Sequence, residues 1–302
     1  MRDYYREKTN PWPRRLLMLA LAAVMVFAAF KLISYKVEQR RTRSINEELA
    51  EEMRRGEAMM NTQANQEGQT GAVNPTGAQG EHPGTQSPPE ATEEPAVRLI
   101  VGGKQQTNQK PEILLSLSGI WERNNDLVGW LNVQALPVLD IPVVQRDHTY
   151  YLRRDFYGRN NVNGTAFMDM NSSIWPCSDN LIIYAHNMKS GEMFGGLQKL
   201  RQEPFYRSSP LTTFSTLYER GTYVPLAVVH CSLHRGDRYF NFCVTEFKDQ
   251  ASFDAYIARA RELSDIDSPY DAAFGDRLLT LVTCIDEAGE ERLHPHENEG
   301  PE

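Results

Sequence analysis

Near the N-terminus, the stretch RRLLMLALAAVMVFAAFKLISYKVEQRR holds an unbroken apolar run from Leu16 to Phe30, extended past Lys31 by Leu32, Ile33, Ser34 and Tyr35. A helix that is apolar on every face needs either full burial or lipid around it. Spanning a bilayer takes about 20 mostly apolar residues, which residues 16–35 supply once Lys31 snorkels toward the headgroups. Trp12 and Tyr35 bracket the run as interfacial aromatics do. A cleaved secretory signal has a shorter apolar core and a small-residue cleavage site after it, and neither is present here. The run therefore reads as an uncleaved anchor. Its orientation stays open on charge alone. Arg14 and Arg15 precede it, and Lys36, Arg40, Arg41 and Arg43 follow.

Beyond the anchor, residues 36–60 are rich in good helix formers, and Ser44 with Glu47 has capping-box spacing. A short juxtamembrane helix is expected. Residues 61–96 contain no aromatic residue, no Leu or Ile and no positive charge, but five prolines and five glycines. Such a segment buries too little apolar surface to offset its chain entropy, so it is expected to be a disordered linker. As a coil it would span on the order of 30 Å, and fully stretched roughly 120 Å. From residue 97 to residue 302, aromatics, β-branched residues and turn signals return together, which marks a globular domain.

The net charge of −8 argues against a nucleic-acid partner, which would require a basic field. Four cysteines, Cys177, Cys231, Cys243 and Cys284, are too few to staple a chain of this length. The absence of any CxxC pair disfavours a zinc ribbon or a thioredoxin-type motif. Short strands are expected at LVGWLNV, IPVVQ, GTAFMDM, NLIIYAH, TYVPLAVVHCSL, YFNFCVTEF and RLLTLVTCI. Helices are expected at PEILLSLSGIWERN and over Ala251–Asp265. Many strands and few helices point to a mostly β fold, a closed barrel rather than a doubly wound sheet.

The chemistry centres on LLTLVTCIDEAGEERL, Leu278 to Leu293. An apolar strand runs straight into Cys284, and Arg292 follows after an acidic loop. Upstream, His186 directly follows another apolar strand, NLIIYA. A nucleophilic cysteine needs a thiolate, a nearby imidazole and a group that stabilises an oxyanion, and these three residue types supply them. On spacing alone, a buried structural thiol and a structural histidine are the commoner readings.

The wider pattern adds to this. TLVTC with Arg292 resembles the TLxTC signature of sortases, the cysteine transpeptidases of Gram-positive cell surfaces. NNDLVGWLNV, DIPVVQ, TYYLRRDFYG, GTAFMDMNSS and NLIIYAHNMKSGEMFGGLQKL match class B sortases in order and spacing, from Pro111 to Leu293. The resemblance implies an eight-stranded barrel with N-terminal helices and one helix before the Cys strand. It also implies a cytoplasmic N-terminal segment over residues 1–15, a single-pass anchor in the cell membrane and an extracellular catalytic domain. Cys284 would be the nucleophile that attacks a sorting signal, His186 the acid–base residue, and Arg292 the residue that positions the signal and stabilises the oxyanion. Val282, Thr283, His148 and Leu152 would line the substrate groove. The implied partners are secreted proteins bearing a sorting signal, and an amine from a peptidoglycan precursor or a pilin lysine. No cofactor and no metal are required. A Cys-dependent hydrolase that releases the acyl group to water, and an inactive barrel used for binding, are the rival readings. The order His before Cys is opposite to that of papain-like hydrolases, and the intact triad disfavours a retired enzyme.

This chain departs from the family pattern at several points. IYAH replaces the usual IYGH, so Ala185 is expected to keep its loop out of the left-handed region. His148 stands where Asn is usual, and Val282 where many relatives carry Ser. Pro295 cannot donate to a ladder, so a last strand there must be short or at an edge. Asp286 reads as a solvated loop carboxylate, and Cys231 and Cys243 as buried free thiols. His230 and His234 lack a third metal ligand, and Arg235–Asp237 reads as a hairpin turn.

Overall fold

The computed structural model describes residues 12–70, 110–208, 211–232 and 236–283. Cys284, Asp286, Arg292 and Pro295, with His234 and Arg235, lie outside the described residues.

Helix α1 runs unbroken from Trp12 to Thr70, about 90 Å at 1.5 Å per residue. Its first half is apolar all round and exposed, and it is long and apolar enough to cross a membrane. Its second half is amphipathic. Ile45, Leu49, Ala50 and Met53 form one buried stripe and join the same core as Leu117 and Ile120 of α2 (Leu115–Arg123). Two expectations change here. Ser44 lies exposed in mid-helix and caps nothing, and residues 61–70, expected in the linker, continue the helix. The physical reason is continuity. No glycine or proline interrupts residues 14–55, and tertiary burial carries the helix past a local capping signal. The docked stripe lies before residues 71–109, so the connection from the apolar segment to the barrel is helical. The helices touch closely: a Cβ on Gly56 would come within 2.4 Å of the Ser116 Cα. Arg123 bridges to Glu48 and Glu52 at 2.8 and 2.6 Å, and Arg54 reaches Asp140 at 2.8 Å.

Seven strands follow: β1 (Leu127–Val133), β2 (Asp140–Val144), β3 (Ala166–Met168), β4 (Asn180–Tyr184), β5 (Thr212–Thr216), β6 (Arg220–Tyr223) and β7 (Leu278–Val282). They form one sheet in the order β6-β5-β1-β2-β3-β4-β7, antiparallel except for β2·β3 and β4·β7. Arg277, just ahead of β7, pairs with Glu219, just ahead of β6, and draws the two edges together into a nearly closed barrel. Strand β4, between β3 and β7, reads NLIIY and is buried throughout, as a strand covered on both faces must be.

Eight strands were expected and seven stand among the described residues. Beyond the end of β6, residues 224–232, and all of 239–247, form no ladder, although both lie in segments expected as strands. Pro225 removes a donor, and other groups satisfy the backbone instead. Val228 bonds Ser264 Oγ and Asp265 N. Asn180 holds the carbonyls of Val244 and Thr245, and Asp179 accepts from Phe247 N–H. Helix α3 (Glu203–Ser208) is short, and α4 (Gln250–Glu262) starts from a reciprocal capping box between Asp249 and Ser252. Cys231 is half-buried and Cys243 exposed, both free, where two buried thiols were expected.

Candidate active site at the β4–β7 end

The parallel ladder of β4 and β7 pairs Asn180 with Leu278 through to Tyr184 with Val282. Ala185 extends it, donating its N–H to Val282 O at 3.2 Å. Parallel strands end on the same side, so the chain beyond Tyr184 and the chain beyond Val282 leave the barrel together. His186 stands two residues beyond Tyr184. Ala185 is buried and outside the left-handed region, as its methyl requires.

His186 is half-buried, and its Nε2 lies 2.7 Å from the carbonyl oxygen of Leu152. A carbonyl only accepts, so Nε2 carries the proton and Nδ1 is the basic nitrogen of the neutral ring. The loop after His186 is pinned back: Phe194 N–H donates to His186 O at 3.0 Å. Met193 closes that loop in the left-handed region, φ 51°, with its side chain buried.

Leu152 is held in turn by its own segment. Asp147 Oδ1 accepts from the N–H groups of Thr149 and Tyr150 at 2.8 and 2.6 Å, which starts a 3₁₀ turn over Tyr150–Arg153. Burial pushes the Asp147 carboxyl up, but these donors, the Thr149 hydroxyl and Arg146 together hold it below its ordinary value. Tyr151 is buried, and its hydroxyl donates to Asp126 at 2.7 Å and accepts from Asn124 at 2.9 Å. Gly164 packs directly against this turn in the left-handed region, φ 62°. A Cβ there would meet the carbonyl oxygens of Tyr151 and Leu152 at 2.6 and 2.7 Å. The sequence placed Gly164 at the start of the expected strand GTAFMDM and gave no sign of its contact with Leu152.

The structure thus brings His186 and Leu152 into contact, and sets Val282 against Ala185. Thr283 follows, its hydroxyl buried without a partner among the described residues. Val282 packs on the core beside Ile182 and Tyr184. His148 is half-buried in the turn before Tyr150, with no hydrogen bond to His186. Behind the site, Tyr184 donates to Asp169 at 2.9 Å and lies 3.9 Å from Cys243 Sγ. Burial, then Cys243 and Asp169, drive its phenol well above the usual range. Among the described residues no three His, Cys, Asp or Glu side chains cluster as metal ligands. A cleft of about 890 Å³, lined by Trp121, Ile174, Trp175 and Tyr218, opens beside the approach to β4 instead.

No family model matches the chain. It is 31% identical to Sortase B of Listeria monocytogenes over 187 residues, covering 62% of this chain and 74% of that one. It is 28% identical to Sortase B of Staphylococcus aureus over 164 residues, 54% of this chain and 65% of that one. Among solved structures, a Bacillus anthracis protein described as similar to sortase B superposes with a TM-score of 0.53 at 27% identity. That match covers 60% of this chain and 83% of the other.

Proposed function

The chain belongs to the sortase B family of cysteine transpeptidases, and on that premise we propose that it cleaves a C-terminal sorting signal through a thioester on Cys284 and passes the acyl group to an amine. In this reading the Cys284 thiolate attacks the scissile carbonyl and a tetrahedral oxyanion forms, held by the Arg292 guanidinium. The carbon–nitrogen bond breaks, and the leaving amine takes its proton from His186. An incoming amine then attacks the thioester, gives its proton to His186, and the carbon–sulfur bond breaks. The thiolate is regenerated, and no metal or redox step enters.

The observation that carries this reading is the ladder of β4 and β7. His186 follows Tyr184 by two residues, as Cys284 follows Val282, and Tyr184 and Val282 are partners. With Nε2 committed to Leu152, Nδ1 is the nitrogen that exchanges the proton. Val282, Thr283, His148 and Leu152 are proposed to border the signal. The apolar half of α1 is proposed to anchor the chain in the cell membrane, residues 1–15 inside and the barrel outside. The partners would be secreted proteins bearing the signal, and a peptidoglycan-precursor or pilin amine.

A quenched library of sorting-signal peptides, offered with and without amines, tests this. Cleavage that requires Cys284, with the amine joined to the new C-terminus, is expected. Cleavage equal in Cys284→Ala, or none at all, would sink the reading. Cleavage in which water alone ever accepts would make the protein a hydrolase.

A further inference from the structure

The part of α1 that leaves the apolar run is the same part that docks on the barrel. The run ends at Tyr35. Three residues on, Glu38 accepts from the Val162 N–H at 3.1 Å. One turn further, Thr42 Oγ1 accepts from the side-chain amides of Asn161 and Asn163 at 2.8 and 3.0 Å, and all three residues are buried. Arg41 lies 3.7 Å from Asp155. With no glycine or proline over residues 14–55, α1 has no hinge between the apolar run and this docked face.

The barrel's features fall in order along that helix. The loop 153–163 meets residues 38–42. Burial pushes the Glu192 carboxyl, in the loop after His186, up, with Arg43 opposing and Glu47 adding to it. Met193 lines a small cavity with Thr42, Ile45 and Asn46. At the other end Arg54 meets Asp140, Ser116 lies under Gly56, and Arg220 pairs with Glu57 at 3.3 Å. With 1.5 Å rise per residue, residues 38–47 lie about 5–18 Å past Tyr35, and Glu57 about 33 Å past it. His186, bonded to Leu152 at the edge of loop 153–163, belongs to the near group.

This near rim is also rich in unspent positive charge. Lys36, Arg40 and Arg153 are exposed and have no ion-pair partner among the described residues. Arg41 and Arg159 share the single buried carboxylate of Asp155. Glu38, Glu47 and Glu192 offset only part of this. Val162, whose N–H meets Glu38, is 38% exposed.

We propose that this rim is a lipid-facing surface. Loop 153–163, with Lys36 and Arg40, rests on anionic headgroups, and the His186 end of the barrel opens within about 20 Å of the bilayer. The inference rests on α1 being the anchor proposed above. It implies that signal and acceptor meet the enzyme at the membrane surface rather than in bulk solution. It also gives residues 71–109 a different place in the design: they follow the docked helix, so they do not set the barrel's distance from the membrane.

The test uses the full chain in nanodiscs of mixed phosphatidylcholine and phosphatidylglycerol carrying headgroup spin labels. A genetically encoded coumarin amino acid replaces Val162, or, as the control, the exposed Glu112, four residues before the Ser116 that lies under Gly56. Quenching at Val162 several-fold greater than at Glu112 is expected. A flexible glycine–serine insertion after Lys36 should abolish the difference. The triple variant Lys36→Gln, Arg40→Gln, Arg153→Gln should reduce quenching at Val162 with unchanged melting, since all three side chains are exposed. A chain that does not remain with the discs overturns the anchor and the surface together. A chain that remains with equal quenching at both positions overturns the surface alone.

Discussion

Tyr184 of β4 and Val282 of β7 stand opposite each other in a parallel ladder, and the next hydrogen bond, from Ala185 N–H to Val282 O, carries the pairing to the brink of His186. That register ties two motifs a hundred residues apart to one end of the barrel.

Removing either reacting group should abolish turnover without touching the fold. Cys284→Ala and His186→Ala are each expected to lower peptide cleavage by at least about 10³-fold, the range seen when members of a catalytic unit are removed. His186 is only half-buried, so His186→Ala should keep its melting temperature. Wild-type turnover in either variant would remove that residue from the chemistry.

Gly164→Ala should damage the site from behind. The new methyl would overlap the carbonyl oxygens of Tyr151 and Leu152 at 2.6 and 2.7 Å, and φ 62° would cost a further ~1–2 kcal/mol. The Leu152 carbonyl must then withdraw from His186 Nε2. Misplacement of about 1 Å can cost about 10²-fold, so kcat should fall more than KM rises. Nitrogen chemical shifts of His186 should show loss of the Nε2–H tautomer preference. A variant that is less stable but keeps the tautomer and kcat would show the contact to be structural only.

Asp169 is buried and accepts from the Tyr184 hydroxyl and from Asn171 N–H at 2.9 and 2.8 Å. Asp169→Ala leaves both donors without that partner, a cost of about 1–3 kcal/mol. Urea unfolding should report it. Tyr184→Phe removes only one donor and should cost less than Asp169→Ala.

How much was legible in the sequence depended on whether a segment's neighbours are local. The alternation of LVGWLNV and the solid apolar run of NLIIY announced β1 and β4, and the sortase-like blocks announced their order. Residues 224–232 and 239–247 carry strand-forming side chains, yet Val228, Val244 and Phe247 find their backbone partners in Ser264, Asn180 and Asp179, which no local pattern reveals. The Ser44–Glu47 pair looked like a helix start because capping chemistry is local. The burial of Ile45, Leu49 and Met53, which keeps the helix intact, is not. His186 was singled out by motif, while its tautomer waited for the carbonyl of Leu152, 34 residues away in sequence.

Because those α1 side chains belong to the core, truncation should be sharply position-dependent. A chain beginning at residue 36 retains Ile45, Leu49, Ala50 and Met53 and should melt as the barrel of the full chain does. A chain beginning at residue 71 loses all four. The three larger ones each contribute about 1.5–3 kcal/mol of burial, against a typical total stability of about 5–15 kcal/mol. It should be unfolded or molten. The point substitution Leu49→Ala should cost about 2–5 kcal/mol by urea denaturation. Equal stability of the two truncations would contradict the docked helix.

The acyl-enzyme itself is the most direct object to measure. The full chain is incubated with a cleavable sorting-signal peptide and no amine, quenched in acid, and its intact mass recorded and mapped by peptide digestion. A mass increase equal to the acyl fragment, located on Cys284 and discharged into an amide when an amine is added, is the expected result. Peptide turnover with no adduct on Cys284, or an adduct on a different residue, would contradict the account.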